Sequence, residues 1–570
     1  MTDSDRDDAF NVVEPCAGYC LYDTDPALRE AVRREGAGHA EASLREQGRW
    51  LGSREAMDAG RDANEHPPRF VPLDPVGRRI DEVRFHPAWH LLMEGIVARG
   101  LHAAPWASPR PGAMVERAAG YLMQGQVEAG TLCPTTMTFG AIPVLASEPA
   151  GEIDFARDWL PRLYGRVYDP SDAPAAAKRG LLIGMGMTEK QGGSDVRANT
   201  TRAAPCGTPG RGRGYLLDGH KWFYSVPQSD AHLVLAQADE GLSCFFVPRY
   251  GPDGRRNGVR IQRLKDKLGN RSNASAEVEF HGAWGAMLGE PGRGVATIVE
   301  MATYTRLDCV LGSAALLRQA AVQALHFCSR RQAFGRPLRE QPLMRHVLAD
   351  LALESEAATA LGLRLARAFE SEAPLERAIR RIVTPAAKYW VCKRAVSAVA
   401  ECMEACGGNG YVEDGPMPRL YREVPVNAIW EGSGNIMCLD VLRAIRRDPQ
   451  AFEALAEHLR ECGGGSAEFR SAWQTWMDLC AGGGEAEFKA RRIAGLLAGL
   501  MQAALLMAQP GGLVGEAFVA ARLAQAGWLY GDSDTGHGDA VCAELLARAW
   551  PPGSGTGSLP GASQGDGADG

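Results

Sequence analysis

Apolar positions recur at three- and four-residue spacing through the first 180 residues, as in "PAWHLLMEGIVARGL" and "AMVERAAGYLMQGQVEAG". That is the period of an amphipathic helix, so this part reads as helices and loops, with a turn at "DPVGRR" (74–79). The pattern changes near Leu181. From Gly214 to Phe280 short runs of β character take over: "YLLDG", "AHLVLAQA", "SCFFVP", "VRIQRL" and "AEVEF". Turn chemistry separates them, as in "CGTPGRGRG", "ADEG" and "GPDGRRNG". Helical periodicity returns from about Gly294 in three segments long enough for an antiparallel bundle, and continues past Asp440 with breaks at "CGGGS" and "AGGGEAE". The predicted class is α+β: an N-terminal helical domain (1–180), a central antiparallel β domain (181–290), a four-helix bundle (291–440) and a helical extension (441–550). The stretch 551–570, "PPGSGTGSLPGASQGDGADG", has the composition of a disordered tail.

Composition narrows this picture only slightly. The chain has 570 residues, more than one hydrophobic core serves, with 45% apolar and 23% charged residues, as in an ordinary globular protein. A formal charge of −7 gives no general pull toward nucleic acid or an anionic membrane. The 14 cysteines include no CxxC pair; Cys16/Cys20 and Cys402/Cys406 are spaced as on a helix face, so no metal site is expected. The longest apolar run, 493–508, is interrupted by Gln502 and falls short of the ~20 residues of a membrane span. A buried helix is expected there. The acidic start "MTDSDRDDAF" is unlike a secretory signal, so a cytoplasmic protein is expected.

Candidate chemistry begins at "MTEKQGGSD" (187–195), directly after the apolar "GLLIGMG". Glycine pairs let consecutive backbone N–H groups turn inward into an anion-binding nest, and Ser194 adds a hydroxyl donor. The alternative is a plain surface loop. Neither a P-loop nor a G-x-G-x-x-G pattern is present at this position. "HKWFYS" (220–225) sets Trp222 and Phe223 near Ser225, either to stack on a flat cofactor or as barrel core. "SRRQAFGRPL" offers Arg331 to a pyrophosphate, and "CGGNGY" (406–411) is a further glycine-rich bend. "AIWEGSGNIM" places the carboxylate of Glu431 between Trp430 and Gly432, where an apolar neighbour would raise its pKa toward that of a working base.

In this order these segments resemble the acyl-CoA dehydrogenase flavoprotein family, whose fold is a helical domain, a β domain and a four-helix bundle. Longer stretches, among them "LLIGMGMTEKQGGSDVRANTT", "QVEAGTLCPTTMTF", "RLKDKLGNRSNASAEVEF" and "LYREVPVNAIWEGSGNIMCLDVLR", resemble its AidB-type branch, linked to the bacterial adaptive response to DNA alkylation. The resemblance covers about residues 10 to 447. It implies FAD held by Met185, Gly186, Met187, Thr188, Glu189, Lys190, Gln191, Gly192, Gly193 and Ser194. Phe223, Tyr224 and Ser225 join them, as does the wall formed by Ile429, Trp430, Gly432, Ser433, Gly434, Asn435 and Ile436. By the same resemblance Thr188 meets the flavin ring, Gly193 and Ser194 the pyrophosphate, Phe223 the face of the isoalloxazine, and Ser225 the surroundings of N5. Arg331 reaches the FAD of a neighbouring subunit, which implies an oligomer, a dimer of dimers.

The resemblance further implies removal of the α-proton of an acyl thioester by Glu431, with the β-hydrogen leaving as hydride to flavin N5. The alternative base position of the isovaleryl branch holds Thr305 here, so Glu431 is the expected base. Weak turnover of short branched acyl-CoA, with electron-transfer flavoprotein as acceptor, is what the branch implies. Three departures stand out: Trp430 replaces a tyrosine; Asp308 enters the pocket-lining helix, where pairing with Arg306 would neutralise it; and an extension follows Asp440. The branch also implies duplex DNA binding through that extension. Residues 441–570 carry ten Lys/Arg against fifteen Asp/Glu, a net of −5, leaving Arg443, Arg446 and Arg447 as the candidate DNA contact. A DNA-binding protective or regulatory protein that carries FAD without turnover is the competing class.

Overall fold

Helix starts in the N-terminal part follow capping chemistry. Asp25 accepts a hydrogen bond from Leu28 N–H (3.1 Å) at the head of α1 (Pro26–Arg34), which has proline in its first turn. After α2 (Glu41–Leu51), Ser53 caps α3 (Arg54–Glu65) by accepting from Ala56 N–H at 3.2 Å. The computed structural model describes residues 11–483, 486–524, 529–532, 538–551 and 554. The expected tail at 551–570 lies almost wholly outside these. α4 (Pro87–Ala98), α5 (Ala113–Val127) and α6 (Leu132–Ala146) complete the main N-terminal helices; α5 and α6 are buried nearly all round. Between α3 and α4 the chain forms a hairpin, β1 (Arg69–Leu73) and β2 (Arg79–Arg84), around the expected turn. Its charged residues hide the alternation in the sequence. The hairpin leans on the β domain: Asp81 Oδ2 accepts from Ile261 N–H at 3.2 Å.

The β domain comprises β3 (Ile183–Gly186), β4 (Arg202–Pro205), β5 (Gly214–Ser225), β6 (Ala231–Ala238), β7 (Gly241–Pro248), β8 (Val259–Leu264) and β9 (Ser275–Leu288). β4, β5, β9, β7 and β6 close on one another, with β3 and β8 on the flanks. The expected purely antiparallel domain is therefore mixed, because β3 runs parallel to β6. β3 enters from the helical domain and its partner arrives only after a long crossover, which sets that direction. β6 and β7 are buried on both faces: Leu233, Leu235 and Phe246 pack toward the helices, Val234, Ala236 and Phe245 into the barrel. Double burial is why these strands read as continuous apolar runs.

The bundle is α7 (Gly294–Arg330), α8 (Pro342–Ala368), α9 (Thr384–Ala405) and α10 (Gly434–Arg447). α7 is its axis and touches α5, α6, α8 and α9. The extension adds α11 (Pro449–Cys462), α12 (Ala467–Ala481), α13 (Ala486–Met507), α14 (Leu513–Val519) and α15 (Gly538–Ala549). It shares one core with the bundle, through residues such as Phe469, Trp476 and Phe518. α13, 22 residues, is long and apolar enough to cross a membrane by length and composition, yet 72% of its apolar window is packed inside the protein. Gln502, the break in its apolar run, is fully buried and accepts a 3.1 Å hydrogen bond from Trp390 Nε1 of α9.

Arginines tie the extension to the bundle. Arg522 reaches Asp350 and Glu354 of α8, Glu354 also receives Arg394 of α9 at 2.6 Å, and Arg548 of α15 meets Glu356 at 2.8 Å and Glu30. Burial pushes the Glu354 carboxyl up, but Arg394 and Arg522 outweigh it and hold it at about 2. A carboxyl depressed in the folded state contributes stability above its unfolded pKa of about 4.3, and that contribution is lost as pH falls toward 2. The extension is therefore expected to loosen below about pH 4. Arg522→Ala should do so at neutral pH, at a cost of about 3–5 kcal/mol. Amide hydrogen exchange checks both: α14 and α15 should lose protection before the bundle does.

Candidate active site

The 187–195 loop is held from beneath by an ion pair. Glu189 and Lys221 of β5 are both fully inaccessible, with Nζ 2.8 Å from Oε1. Glu189 also accepts from Thr200 N–H (2.6 Å), Thr200 Oγ1 (2.9 Å) and Thr201 N–H (3.2 Å), and Lys221 donates to Leu235 O at 2.7 Å. Burial disfavours the Glu189 charge, but Lys221 and the threonine donors leave its carboxyl at about 2. Burial lowers the Lys221 ammonium to about 8, the Glu189 charge acting the other way. Both groups are charged at neutral pH. The Glu189 side chain thus braces the loop from inside and does not face a ligand. Gln191 is exposed and donates to Asn199 Oδ1 at 3.0 Å. The loop doubles back at Gly192, at φ +128°, and presents Gly193 and Ser194 at the surface. A Cβ on Gly193 would fall 2.5 Å from Thr188 Oγ1, so glycine keeps that hydroxyl and the backbone together.

Strand alternation separates the aromatic residues of β5. Phe223 is half-exposed beside Ser225, with Lys265 Nζ 4.6 Å from its ring centroid. Tyr224 points the other way. It is buried in the barrel, stacked on His232 at 3.8 Å, so its side chain, expected from the resemblance to help hold FAD, points away from Phe223 and Ser225. A Cβ on Gly186 would lie 2.6 Å from the Tyr224 ring, so glycine there lets β3 pass it; Met185 is buried and Met187 half-buried alongside. Lys190 is exposed, 5.8 Å from the Trp222 ring.

Two residues beside Ser225 escaped the motif reading. The Cys133 thiol, at the start of α6, lies against the side chains of Asn273 and Ser225, and burial pushes it up to about 12. Asn273 is buried with both amide atoms unpaired. An orphaned amide, the exposed Gly193 and Ser194 and a half-exposed aromatic fit a flat group with a polar edge and an anionic tail. Both residues stood inside segments noted only for family likeness, and only folding brings them to Ser225.

Glu431 closes the opposite side. The stretch 424–428 is a 3₁₀ turn, Trp430 Nε1 donates to Asn427 Oδ1 at 2.9 Å, and Glu431 takes φ +58°, a conformation rare outside glycine. Thr305 of α7 donates to Glu431 Oε2 at 2.6 Å, so the two alternative base positions are in contact. Burial raises the Glu431 carboxyl, opposed by the Thr305 hydroxyl, Lys388 and Arg306. Gly432 takes φ +105°, Ser433 and Gly434 then open α10, and Ile436 is half-buried on it. Asn435 is exposed and accepts from Arg491 Nε at 2.9 Å, so the extension reaches this wall directly. Ile429 is exposed.

The pairing of Asp308 with Arg306 that the sequence suggested does not form. Asp308 is held bidentately by Arg117 of α5, with the second contact at 2.7 Å, and the Arg117 guanidinium lies 4.0 Å from the Phe139 ring centroid. Arg306 pairs instead with Asp440, at 2.8 Å. Arg306 points across to α10 while Asp308 points back to α5, because two residues on a helix turn the side chain by roughly 200°. Arg331 follows α7 directly and donates to Asn11 O, beside a hairpin whose Phe334 is 96% exposed. Arg443 is engaged by Asp440 at 3.0 Å, whereas Arg446 and Arg447 are exposed and make no ion pair among the described residues.

Known proteins match in the same order as these parts. Residues 11–170 match the adaptive response protein AidB N-terminal domain, 184–283 the acyl-CoA dehydrogenase middle domain and 292–446 the acyl-CoA dehydrogenase C-terminal domain. The chain is 52% identical over 465 residues to AidB of Escherichia coli (strain K12), covering 81% of this chain and 85% of that one. It is 32% identical over 451 residues to acyl-CoA dehydrogenase family member 11 of Caenorhabditis elegans, covering 74% and 70%. The crystal structure of Caenorhabditis elegans ACDH-11 in complex with C11-CoA superposes with a TM-score of 0.81 at 26% identity, over 95% of this chain and 93% of that one. The helical, β and helical parts are thus the acyl-CoA dehydrogenase fold, with a helical extension. The chain belongs to the acyl-CoA dehydrogenase family, in its AidB-type branch, and the family typically uses FAD.

Lys221→Met removes the partner of a fully buried carboxylate. It is expected to cost about 3–5 kcal/mol, and a simultaneous Glu189→Gln should restore much of that. Denaturant unfolding of the single and double variants measures the coupling.

Proposed function

We propose that this protein is an FAD-dependent acyl-CoA dehydrogenase acting weakly on short branched acyl-CoA, with Glu431 as the base. The observation that carries the reading is Glu431 itself: half-buried, held at φ +58° and hydrogen-bonded to Thr305, with burial raising its carboxyl. Thr305 occupies Oε2, which leaves Oε1 to take the α-proton of a bound thioester. A raised pKa makes that carboxylate a stronger base near neutral pH. Bound FAD supplies the hydride acceptor for the β-hydrogen. The chain's part is to hold it: Thr188, Phe223 and Ser225 along the ring, the Asn273 amide at its polar edge, and Gly193 with Ser194 at the pyrophosphate. Arg331, beside an exposed Phe334, suits contact with the FAD of a neighbouring subunit, so the working form is taken as a homotetramer. An electron-transfer flavoprotein would re-oxidise the flavin, in the cytoplasm.

Glu431→Gln is nearly isosteric and cannot accept a proton. It should keep the fold and bound FAD but lose acyl-CoA-dependent bleaching of the flavin, read anaerobically across a series of acyl-CoAs. Unchanged bleaching rates would move the base elsewhere.

The second reading, a role in the response to DNA alkylation with duplex DNA as partner, is favoured by Arg446 and Arg447, exposed at the end of α10. With so few free cations, binding to a labelled duplex should be weak. It should lose affinity with salt at a log–log slope of about −0.9 per neutralised phosphate. Replacing both arginines by alanine should abolish it, and binding indifferent to salt would contradict the reading.

A further inference from the structure

Lys388 of α9 is almost fully buried, 1% exposed, and makes no ion pair among the described residues. Its ammonium donates instead to two backbone carbonyls, Gly432 O at 2.7 Å and Asn427 O at 3.0 Å. These carbonyls stand on either side of Glu431 in sequence. Between them the chain makes a tight arch, in which Trp430 is tied back to the Asn427 side chain and Glu431 takes its positive φ. Asn427 is anchored in turn, donating to Ser313 Oγ of α7 at 3.1 Å. A non-glycine residue in that backbone region costs about 1–3 kcal/mol unless its surroundings impose it. Here the imposing contacts are the two bonds from Lys388 and the Arg306 bond to Glu431 O, at 3.3 Å.

We infer that Lys388 is a positioning residue for Glu431: its ammonium clamps the 427–432 arch in the shape that aims the carboxylate, and places a fixed positive charge beneath it. The inference deepens the reading of Glu431 as the base, and rests on it for its functional meaning. An ammonium held without a carboxylate partner in a buried site is expensive unless it is fully hydrogen-bonded. Apolar packing alone would be served by methionine or leucine. What distinguishes lysine is a charge close enough to favour the ionised form of Glu431, while burial favours the neutral one. Of the other charged groups around the arch, Arg306 also favours the ionised form of Glu431 but is shared with Asp440, and Asp308 is paired to Arg117. Cys309 and Cys392, the thiols facing Lys388, are driven upward by burial and stay neutral, as does Cys133.

Infrared difference spectra of the FAD-loaded protein test this without turnover. The carboxyl C=O band present in wild type and absent from Glu431→Gln reports the protonation of Glu431 as pH is varied. In Lys388→Met its midpoint is expected to rise by about one pH unit or more, because the carboxylate loses its neighbouring cation. Lys388→Gln keeps a donor for one carbonyl but no charge; it should unfold at higher urea than Lys388→Met and still show the raised midpoint. A midpoint equal to that of wild type in either folded variant overturns the inference. So does failure of both variants to fold, which would make the lysine a scaffold residue. If Glu431→Gln still reduces flavin with acyl-CoA, the base assignment falls, yet the infrared midpoints still decide what Lys388 does to this carboxyl.

Discussion

The ion pair between Glu189 and Lys221 is the constraint on which the proposed flavin site depends. Both charges are shut away from water, so the pair is tolerated only because each has further hydrogen-bond partners, Glu189 in the threonines that follow the loop and Lys221 in the carbonyl of Leu235. Such a pair adds little net stability over an apolar replacement, but it is unforgiving of geometry. It joins the loop after β3 to β5 and β6 in one arrangement. That arrangement brings Gly193 and Ser194 to the surface on one side and Phe223 and Ser225 on the other. A loop of glycines alone would have no reason to prefer it.

The same economy of buried arginines holds the helical parts together. Arg117 with Asp308 fixes α5 to α7, Arg306 with Asp440 fixes α7 to α10, and Arg522 and Arg548 fix the extension to α8. Arg117 binds bidentately, Arg522 and Arg548 are each shared between two carboxylates, and Arg306 spans a carboxylate and the Glu431 carbonyl, geometries that guanidinium suits and ammonium does not. The extension is therefore part of the bundle in energetic terms, and Arg491 carries it to Asn435 at the edge of the proposed flavin site.

Two of the six non-glycine residues at positive φ among the described residues lie where the chemistry is proposed. Val226, directly after the Ser225 that faces the site, takes φ +53°, and Glu431 takes +58°. For a β-branched residue and a glutamate this is unfavourable local geometry, imposed by the packing around it. Val226 donates its N–H to Ala274 O at 2.8 Å, one residue beyond the unpaired Asn273, so strain and orphaned polarity sit side by side on the face assigned to the flavin.

By itself the sequence determined the order of helical, β, bundle and extension parts, because periodicities of 3.6 and 2 are local properties of the chain. It also marked the glycine loop and Glu431, whose neighbours in sequence are their neighbours in space. It did not reveal the β1–β2 hairpin, whose alternation is masked by charged residues, or the direction of β3, which depends on where β6 arrives. Nor did it reveal which face Tyr224 takes, or that Asp308 meets Arg117, 191 residues away, and not Arg306 two positions before it. Cys133, Asn273 and Lys388 acquire meaning only from what surrounds them. The tertiary structure decided these points because a charge or an amide removed from water must find its partner wherever folding brings one, and sequence distance places no limit on where that is.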